Sequence, residues 1–170
     1  MKGRRTNPTG KPAEAGIIYE VHVENFMCHR KLSVKLCRNV NIIHGQNGSG
    51  KSAILTAIKL CLGSKHSRRR SRNLKDLIRK DCSGAKLRVT ILNKGANGYK
   101  PDVYGDYITV ERTISMRGLL PPSLLDANGK VRSRTKKDFD AMLHQLNIQV
   151  ENPVAMLDQE EAKKFLTGNA

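Results

Sequence analysis

The sequence predicts an α/β fold: a mixed sheet with an antiparallel β subdomain and flanking helices. A β-branched run at 39–43 leads into a glycine-rich stretch at 45–52, and helical periodicity begins directly after it. Further segments alternate apolar and polar residues on both sides of this unit, which is typical of half-buried strands. A second apolar stripe at helical spacing near 139–146 indicates a second helix packed on the sheet.

The first elements in chain order are a basic arm and two strands. Residues 1–15 contain four cationic side chains, two prolines and almost nothing apolar, so we predict a disordered arm. Order is expected from residue 16, where 17–23 alternates and indicates a strand. A connection at 25–30 follows, and 31–36 alternates strictly as a second strand. The ordered domain is therefore predicted to span 16–170.

The glycine-rich stretch has the spacing G-x-x-x-x-G-K-[ST] of a phosphate-binding loop, preceded by the predicted strand at 39–43. Its glycines permit a tight turn whose N–H groups converge on a phosphate, and the following helix adds a partial positive charge. Lys51 is expected to reach the β- and γ-phosphates, and Ser52 to place its hydroxyl on a magnesium ion. The simpler interpretation is an ordinary glycine turn between a strand and a helix. The predicted loop residues are Gly45, Gln46, Asn47, Gly48, Ser49, Gly50, Lys51 and Ser52.

The elements after the loop follow from periodicity and turn residues. A helix is predicted to about Leu62, with Gly63 at its C-terminus, and strands are predicted at 85–93 and 107–114. Asn128-Gly129 indicates a two-residue hairpin turn. Thr135 with Asp138 three residues later resembles a capping box that opens the second helix.

The bulk composition narrows the function classes. A net charge of +16 and a pI near 10.1 point to a polyanionic partner, either nucleic acid or an anionic membrane surface. No apolar run approaches the roughly 18 residues of a membrane-spanning helix. The four cysteines form no C-x-x-C pair, and we predict reduced, mostly buried thiols of a cytosolic or nuclear protein.

A dense basic run follows the first helix. Eight cationic side chains fall between positions 65 and 80, and no aromatic residue accompanies them. A solvated surface would explain such a run, but its place beside a nucleotide site favours a loop that contacts phosphates. The eight residues are Lys65, Arg68, Arg69, Arg70, Arg72, Lys75, Arg79 and Lys80.

Three stretches resemble the structural maintenance of chromosomes (SMC) family of ATP-binding-cassette (ABC) ATPases, in particular the sixth of its eukaryotic types. They are Glu24-Asn25-Phe26-Met27-Cys28-His29, the loop at 45–52 with Leu62-Gly63 behind it, and Asn147-Ile148-Gln149-Val150-Glu151-Asn152-Pro153-Val154 followed by Gln159. The resemblance covers about residues 16–167 and implies the N-terminal lobe of an SMC head.

The resemblance implies ATP and Mg²⁺ as cofactors. Lys51 and Ser52 correspond to the phosphate and magnesium contacts, and Gln159 to the glutamine that completes the magnesium shell. The family's basic R-loop, which touches DNA or the nucleotide, falls within 67–73, where Arg70 is the best counterpart. Its arginines here are Arg68, Arg69, Arg70 and Arg72, more than the single one usual in the family.

The family's complete site needs an L-S-G-G-like signature and an apolar strand ending in Asp-Glu, and this sequence contains neither. In the family both lie beyond a coiled coil, so we expect half a head, completed by its own C-terminal lobe. The implied partners are DNA, the head of the fifth SMC type, and kleisin-type and other non-SMC subunits, in the nucleus on chromosomes. The alternatives are a lobe of a related double-strand-break repair ATPase, a free-standing P-loop enzyme, or a basic nucleic-acid-binding module.

Overall fold

The structure is a computed structural model that describes residues 15–63 and 74–149, together with residues 152 and 166. A seven-stranded sheet runs through this part of the chain, in the order β2-β1-β3-β4-β6-β7 with β5 beside β4, and every pairing between these strands is antiparallel. The strands are β1 (Ala15–Phe26), β2 (His29–Lys35), β3 (Gly84–Asn93), β4 (Tyr107–Ser115), β5 (Gly118–Leu119), β6 (Ser123–Leu125) and β7 (Val131–Ser133).

Within residues 15–63 and 74–149, three helices and one 3-10 turn accompany the sheet. They are α1 (Lys51–Cys61), the 3-10 turn (Leu74–Leu77), α2 (Pro101–Tyr104) and α3 (Lys136–Gln145). The α/β class and the antiparallel β subdomain predicted from the sequence are confirmed. The predicted arm at 1–15 lies outside the described residues except for Ala15, which already belongs to β1.

The core lies between one face of the sheet and helix α1. Leu87, Val89 and Ile91 of β3 are fully buried on that face, as their alternation predicts. The helix meets them with Ala53 and Ala57, whose small side chains let it approach the sheet closely. Each fully buried Val, Leu or Ile contributes about 1.5–3 kcal/mol, so this layer fixes the position of α1 and of the loop in front of it.

The strand predicted at 39–43 is wrong, because these residues form no strand in the structure. Val40 and Ile42 are 82% and 84% exposed. The chain is bent locally: the Asn41 side chain accepts a hydrogen bond from the Cys37 N–H (2.6 Å) and donates one to the Cys37 carbonyl (2.9 Å). A β-branched run forms a strand only beside a partner strand, and this local turn satisfies the backbone instead.

One predicted turn forms with altered details, and one predicted helix cap forms as expected. The β6–β7 hairpin is present, but the Gly129 N–H donates to the Asp126 carbonyl (2.9 Å) and the Asp126 carboxylate accepts from the backbone of Asn128 and Lys130. Asn128 and Gly129 therefore end a turn that Asp126 begins, rather than forming a two-residue turn. The Thr135 hydroxyl caps α3 through the Asp138 N–H as predicted.

The cysteines differ in exposure from what the sequence indicated. The cysteines were expected to be mostly buried, yet only Cys61 is fully buried, while Cys28 and Cys37 are exposed and Cys82 is half-buried. Burial in an apolar helix face explains Cys61, whereas the other three lie in turns or at their edges. No helix in the described part of the chain has the length and hydrophobicity needed to cross a membrane.

Candidate functional site

The glycine-rich loop ends where α1 begins. Gly50 is the N-cap of the helix and has a φ of 82°, a conformation that suits glycine, and no side chain caps the helix there. Within the loop, the Ser49 N–H donates to the Gln46 carbonyl (3.2 Å) and Gly48 has a φ of 84°. The first N–H groups of α1 thus face a turn built of small residues, which is the arrangement that binds anions at helix N-termini.

Two of the loop glycines are required by close contacts. A Cβ at Gly45 would lie 2.8 Å from the Ser49 hydroxyl, and a Cβ at Gly50 would overlap the His29 imidazole and lie 2.7 Å from the Cys28 sulfur. A Cβ at Gly48, by contrast, would meet no atom within 4 Å. The loop is therefore tightly packed at its two ends and open at its middle, where a ligand could approach the backbone.

The two residues predicted to hold phosphate and metal lie side by side at the start of α1. Lys51 folds over the loop, and its Nζ donates to the carbonyl oxygens of Gly45 (2.6 Å) and Gln46 (2.7 Å). Ser52 is exposed, and its carbonyl accepts a hydrogen bond from the Thr56 hydroxyl (2.8 Å). An ammonium group held by two loop carbonyls and an exposed serine thus lie next to each other where the loop meets the helix.

Helix α1 holds this loop on a rigid base. Ala53, Ala57 and Cys61 are fully buried on its inner face. Burial also raises the pKa of the Cys61 thiol to about 12, so this cysteine is a packing residue without thiolate character. The site is therefore positioned by the hydrophobic core and not by the loop alone.

Several predicted site residues cannot be placed. Gln159 and the four R-loop arginines, Arg68, Arg69, Arg70 and Arg72, lie outside the described residues, so their roles stay predictions. Within the described part, no group of three or more His, Cys, Asp or Glu side chains could hold a metal ion.

The contact of the β1–β2 turn with the loop was missed by sequence reasoning, which treated 25–30 as a plain connection. Besides the close approach to Gly50, the His29 Nε2 lies 3.4 Å from the Gly50 carbonyl oxygen. These residues are 21 positions apart, so no local pattern reveals the contact. The only signal was that the stretch ending in His29 is one of the three that resemble the SMC family.

Comparison with known proteins gives the family. The AAA domain family matches residues 20–170. The structural maintenance of chromosomes protein 6 of Dictyostelium discoideum is 42% identical over 154 residues, and that of Homo sapiens is 42% identical over 156 residues. The chain belongs to the AAA domain family, as an SMC-type ATPase head lobe. The matched region is 90% and 91% of this chain, but the SMC-type lobe spans only 13% and 14% of these relatives.

Solved structures agree with this fold. An SMC ATPase studied for its ATP-driven dimerization and DNA-stimulated activation superposes on the lobe with a TM-score of 0.69 at 22% identity, covering 88% of this chain and 90% of the other. An SMC head bound to the C-terminal winged-helix domain of ScpA superposes with a TM-score of 0.60, also at 22% identity, covering 79% and 42%. The resemblance to SMC heads predicted from the sequence is therefore confirmed, and an AAA domain of this type is a nucleotide-binding domain.

Proposed function

We propose that this SMC-type lobe binds ATP and Mg²⁺ at residues 45–52 and that binding drives its engagement with a second head. The observation that carries the proposal is the Lys51 ammonium, held 2.6 Å from the Gly45 carbonyl directly over the loop. When a γ-phosphate binds there, the Lys51 ammonium exchanges two neutral carbonyl acceptors for charged phosphate oxygens. Charged oxygens form stronger hydrogen bonds with an ammonium group.

The residues at the loop fit a magnesium ion held largely by the nucleotide. Mg²⁺ prefers hard oxygen ligands and keeps several waters, using few protein groups together with substrate phosphates. Ser52 offers an exposed hydroxyl next to Lys51, and we propose Gln159 as the second protein oxygen. When bound, the ion neutralises phosphate charge, while the lobe's own contribution is to hold and orient the phosphates.

ATP binding to the chain and to Lys51→Ala, measured by calorimetry with and without Mg²⁺, tests this proposal. We expect weak binding by the unaltered chain, at least about tenfold weaker binding by the variant, and no steady hydrolysis by either. Lys35→Ala is the matched control, since Lys35 is an exposed lysine of β2 away from the loop. Equal affinities for the unaltered chain and Lys51→Ala contradict the proposal, as does steady turnover by the chain alone.

We further propose that residues 16–170 are the N-terminal half of a head whose C-terminal lobe supplies the missing acidic strand and signature segment. Val40 and Ile42 support this, because their exposed apolar side chains lie just before the loop, where a neighbouring strand could pair with them. In the proposed assembly, a coiled coil joins the two lobes, and a second SMC head of the fifth type closes over the nucleotide. Kleisin-type and other non-SMC subunits then bind the engaged heads.

DNA is the polyanion we propose as the partner of the closed heads, in nuclear chromosome maintenance and DNA repair. Besides the R-loop arginines, four exposed cations follow one another from the β6–β7 turn into α3 and form no ion pair within the described residues. We call this set the β7–α3 basic surface. Its residues are Lys130, Arg134, Lys136 and Lys137.

Salt titrations of binding to random duplexes test the DNA proposal. Each phosphate contact adds about 0.9 to the slope of log affinity against log salt, so Lys136→Glu with Lys137→Glu should reduce the slope by about 2. The control reverses Lys31 and Lys35, two exposed lysines of edge strand β2, and should leave the slope unchanged. Equal slopes for the first double variant and the unaltered chain remove the β7–α3 basic surface from the proposal.

A further inference from the structure

We propose that His29 is a positioning residue for the phosphate-binding loop: it holds the Gly50 carbonyl and thereby aims the Lys51 N–H at the bound phosphate. The inference rests on the proposed ATP site and adds His29, the first residue of β2, 22 positions before Lys51. Three features carry it, namely the rigidity of the turn, its contact with Gly50, and the planarity of the Gly50–Lys51 peptide.

The turn between β1 and β2, at Met27 and Cys28, contacts residues 77–79. Phe26 is fully buried and forms a bridge with Ile78. The Met27 N–H donates to the Leu77 carbonyl (2.8 Å), and the Arg79 N–H donates to the Asn25 carbonyl (2.8 Å). These bonds tie the β1 side of the turn to another segment of the fold, and His29 pairs with Phe26 across the hairpin. His29 therefore has little freedom to move relative to the sheet.

His29 meets the loop at one residue, Gly50. Its Nε2 lies 3.4 Å from the Gly50 carbonyl oxygen, and its ring fills the space that any side chain at position 50 would need. The ring is half-buried there, beside the Cys28 sulfur. A separation of 3.4 Å is long for a hydrogen bond, and such bonds commonly shorten when a ligand orders the site.

Because the peptide bond is planar, a contact that holds the Gly50 carbonyl also orients the Lys51 N–H. The bond between Gly50 and Lys51 is trans, so the Gly50 C=O and the Lys51 N–H point in opposite directions. The carbonyl already accepts the Ala53 N–H at 2.9 Å, and His29 is a second donor on the same oxygen. With the carbonyl held from the helix side, the Lys51 N–H faces back into the loop, where the proposed phosphate lies.

Two substitutions separate positioning from packing. His29→Gln keeps a side-chain N–H near the position of Nε2, whereas His29→Leu keeps comparable bulk without a donor. We expect ATP affinity to fall about threefold to tenfold in His29→Leu, the range expected for one net hydrogen bond, and to recover in His29→Gln. Cys28→Ser is the matched control, because the Cys28 side chain touches Gly50 without donating to its carbonyl, and it should bind ATP like the unaltered chain.

The ¹H–¹⁵N resonance of the Lys51 amide gives a second measurement that does not depend on ATP. We expect it to shift in His29→Leu and to remain close to its original position in His29→Gln. His29→Met replaces the leucine variant if the latter does not fold. Equal ATP affinity and an unmoved Lys51 amide in the apolar variant overturn the inference. A shifted amide in a chain that shows no Lys51-dependent ATP binding overturns the proposed function but supports the positioning role.

Discussion

The Lys51 ammonium nitrogen lies 2.6 Å from the carbonyl oxygen of Gly45, the first residue of its own loop. A second bond of 2.7 Å joins it to the Gln46 carbonyl. Both of these partners are backbone atoms of the loop, so within the described residues these hydrogen bonds tie Lys51 to its own loop. The side chain therefore lies at the mouth of the loop. A phosphate that binds there would replace the two hydrogen bonds between Lys51 and the loop carbonyls.

Lys51→Ala and Ser52→Ala should therefore leave the fold intact while they remove nucleotide binding. Neither side chain contributes to the buried core, and substitutions at such positions usually change the free energy of unfolding by less than about 0.5 kcal/mol. Circular dichroism and thermal melts of both variants measure this. Ala57→Asp, in the buried face of α1, is the positive control and should unfold the chain. Loss of structure in Lys51→Ala indicates instead a structural lysine.

Gly48→Ala and Gly50→Ala form a matched pair of substitutions in the loop. Both glycines have a φ near 80°, so both variants carry the strain of a left-handed alanine, about 1–2 kcal/mol. Only at Gly50 does the added methyl group also overlap the His29 imidazole. We expect Gly50→Ala to have the lower melting temperature of the two in thermal denaturation. Equal melting temperatures show that the β1–β2 turn moves aside easily.

The sequence predicts best those elements whose pattern is set by burial on one face. The alternation in β3 and β4 matches the observed buried residues, since each pattern is repeated over four or more strand positions. The apolar stripes of α1 and α3 match in most positions, although α1 also buries Lys59 and Leu60 and Leu143 of α3 is only half-buried. In these elements, local propensity and packing favour the same conformation.

The errors arise where a distant or side-chain contact decides the conformation. Residues 39–43 have strand propensity, but the Asn41 side chain bonds to Cys37 and no strand pairs with them. The Asp126 carboxylate determines the hairpin turn through three backbone or side-chain donors. The contact between His29 and Gly50 depends on how β2 and α1 pack together, which no short stretch encodes.

Asp138 should make the stability of the chain depend on pH in the acidic range. The Ser133 hydroxyl (2.7 Å) and the Lys100 ammonium (3.0 Å) hold the pKa of this carboxyl well below its usual range. A depressed folded-state pKa stabilises the fold above the unfolded value of about 3.9 and loses that effect as pH falls. We expect Asp138→Asn to lower the melting temperature most above about pH 5, with the difference shrinking below about pH 4.

Melting curves of the unaltered chain and Asp138→Asn between about pH 2 and pH 7 measure this dependence, because the effect of the carboxylate is lost below its unfolded pKa. Asp140→Asn is the control, because Asp140 is an exposed carboxylate of the same helix with no hydrogen-bond partner in the described part of the chain. If the difference in melting temperature between the unaltered chain and Asp138→Asn stays constant with pH, Asp138 acts through the shape of its side chain and not through its charge.

The two exposed cysteines and the buried one should differ in reactivity. Cys28 and Cys37 are exposed, whereas Cys61 is fully buried and burial raises the pKa of its thiol to about 12. Iodoacetamide reacts rapidly only with thiolates that it can reach. The native chain should therefore be modified at Cys28 and Cys37 but not at Cys61. Brief labelling followed by mass spectrometry, with and without denaturant, measures this pattern. Modification of Cys61 under native conditions shows that α1 opens readily from the sheet.

Ile42→Asp tests whether the exposed segment before the loop is an interface for the proposed C-terminal lobe. Because Ile42 is 84% exposed, the substitution removes no core contact, and we expect the melting temperature of the isolated chain to stay within error. In the assembled head, the same aspartate would be a buried, unpaired charge, so the two lobes should no longer copurify. Met116→Asp is the matched control, since Met116 is also an exposed apolar residue but lies in the turn after β4.

Hydrogen exchange tests directly whether residues 39–43 are covered when the C-terminal lobe binds. Residues 39–43 form no strand in this chain, so their amides should exchange rapidly when it is alone. Adding the C-terminal lobe should protect them, because pairing with a neighbouring strand engages the backbone N–H groups and covers Val40 and Ile42. Rapid exchange that persists after the lobes have assembled, together with normal copurification of Ile42→Asp, places the interface elsewhere on the chain. Protection at 39–43 that Ile42→Asp abolishes and Met116→Asp preserves identifies the segment as a strand completed only by the second lobe.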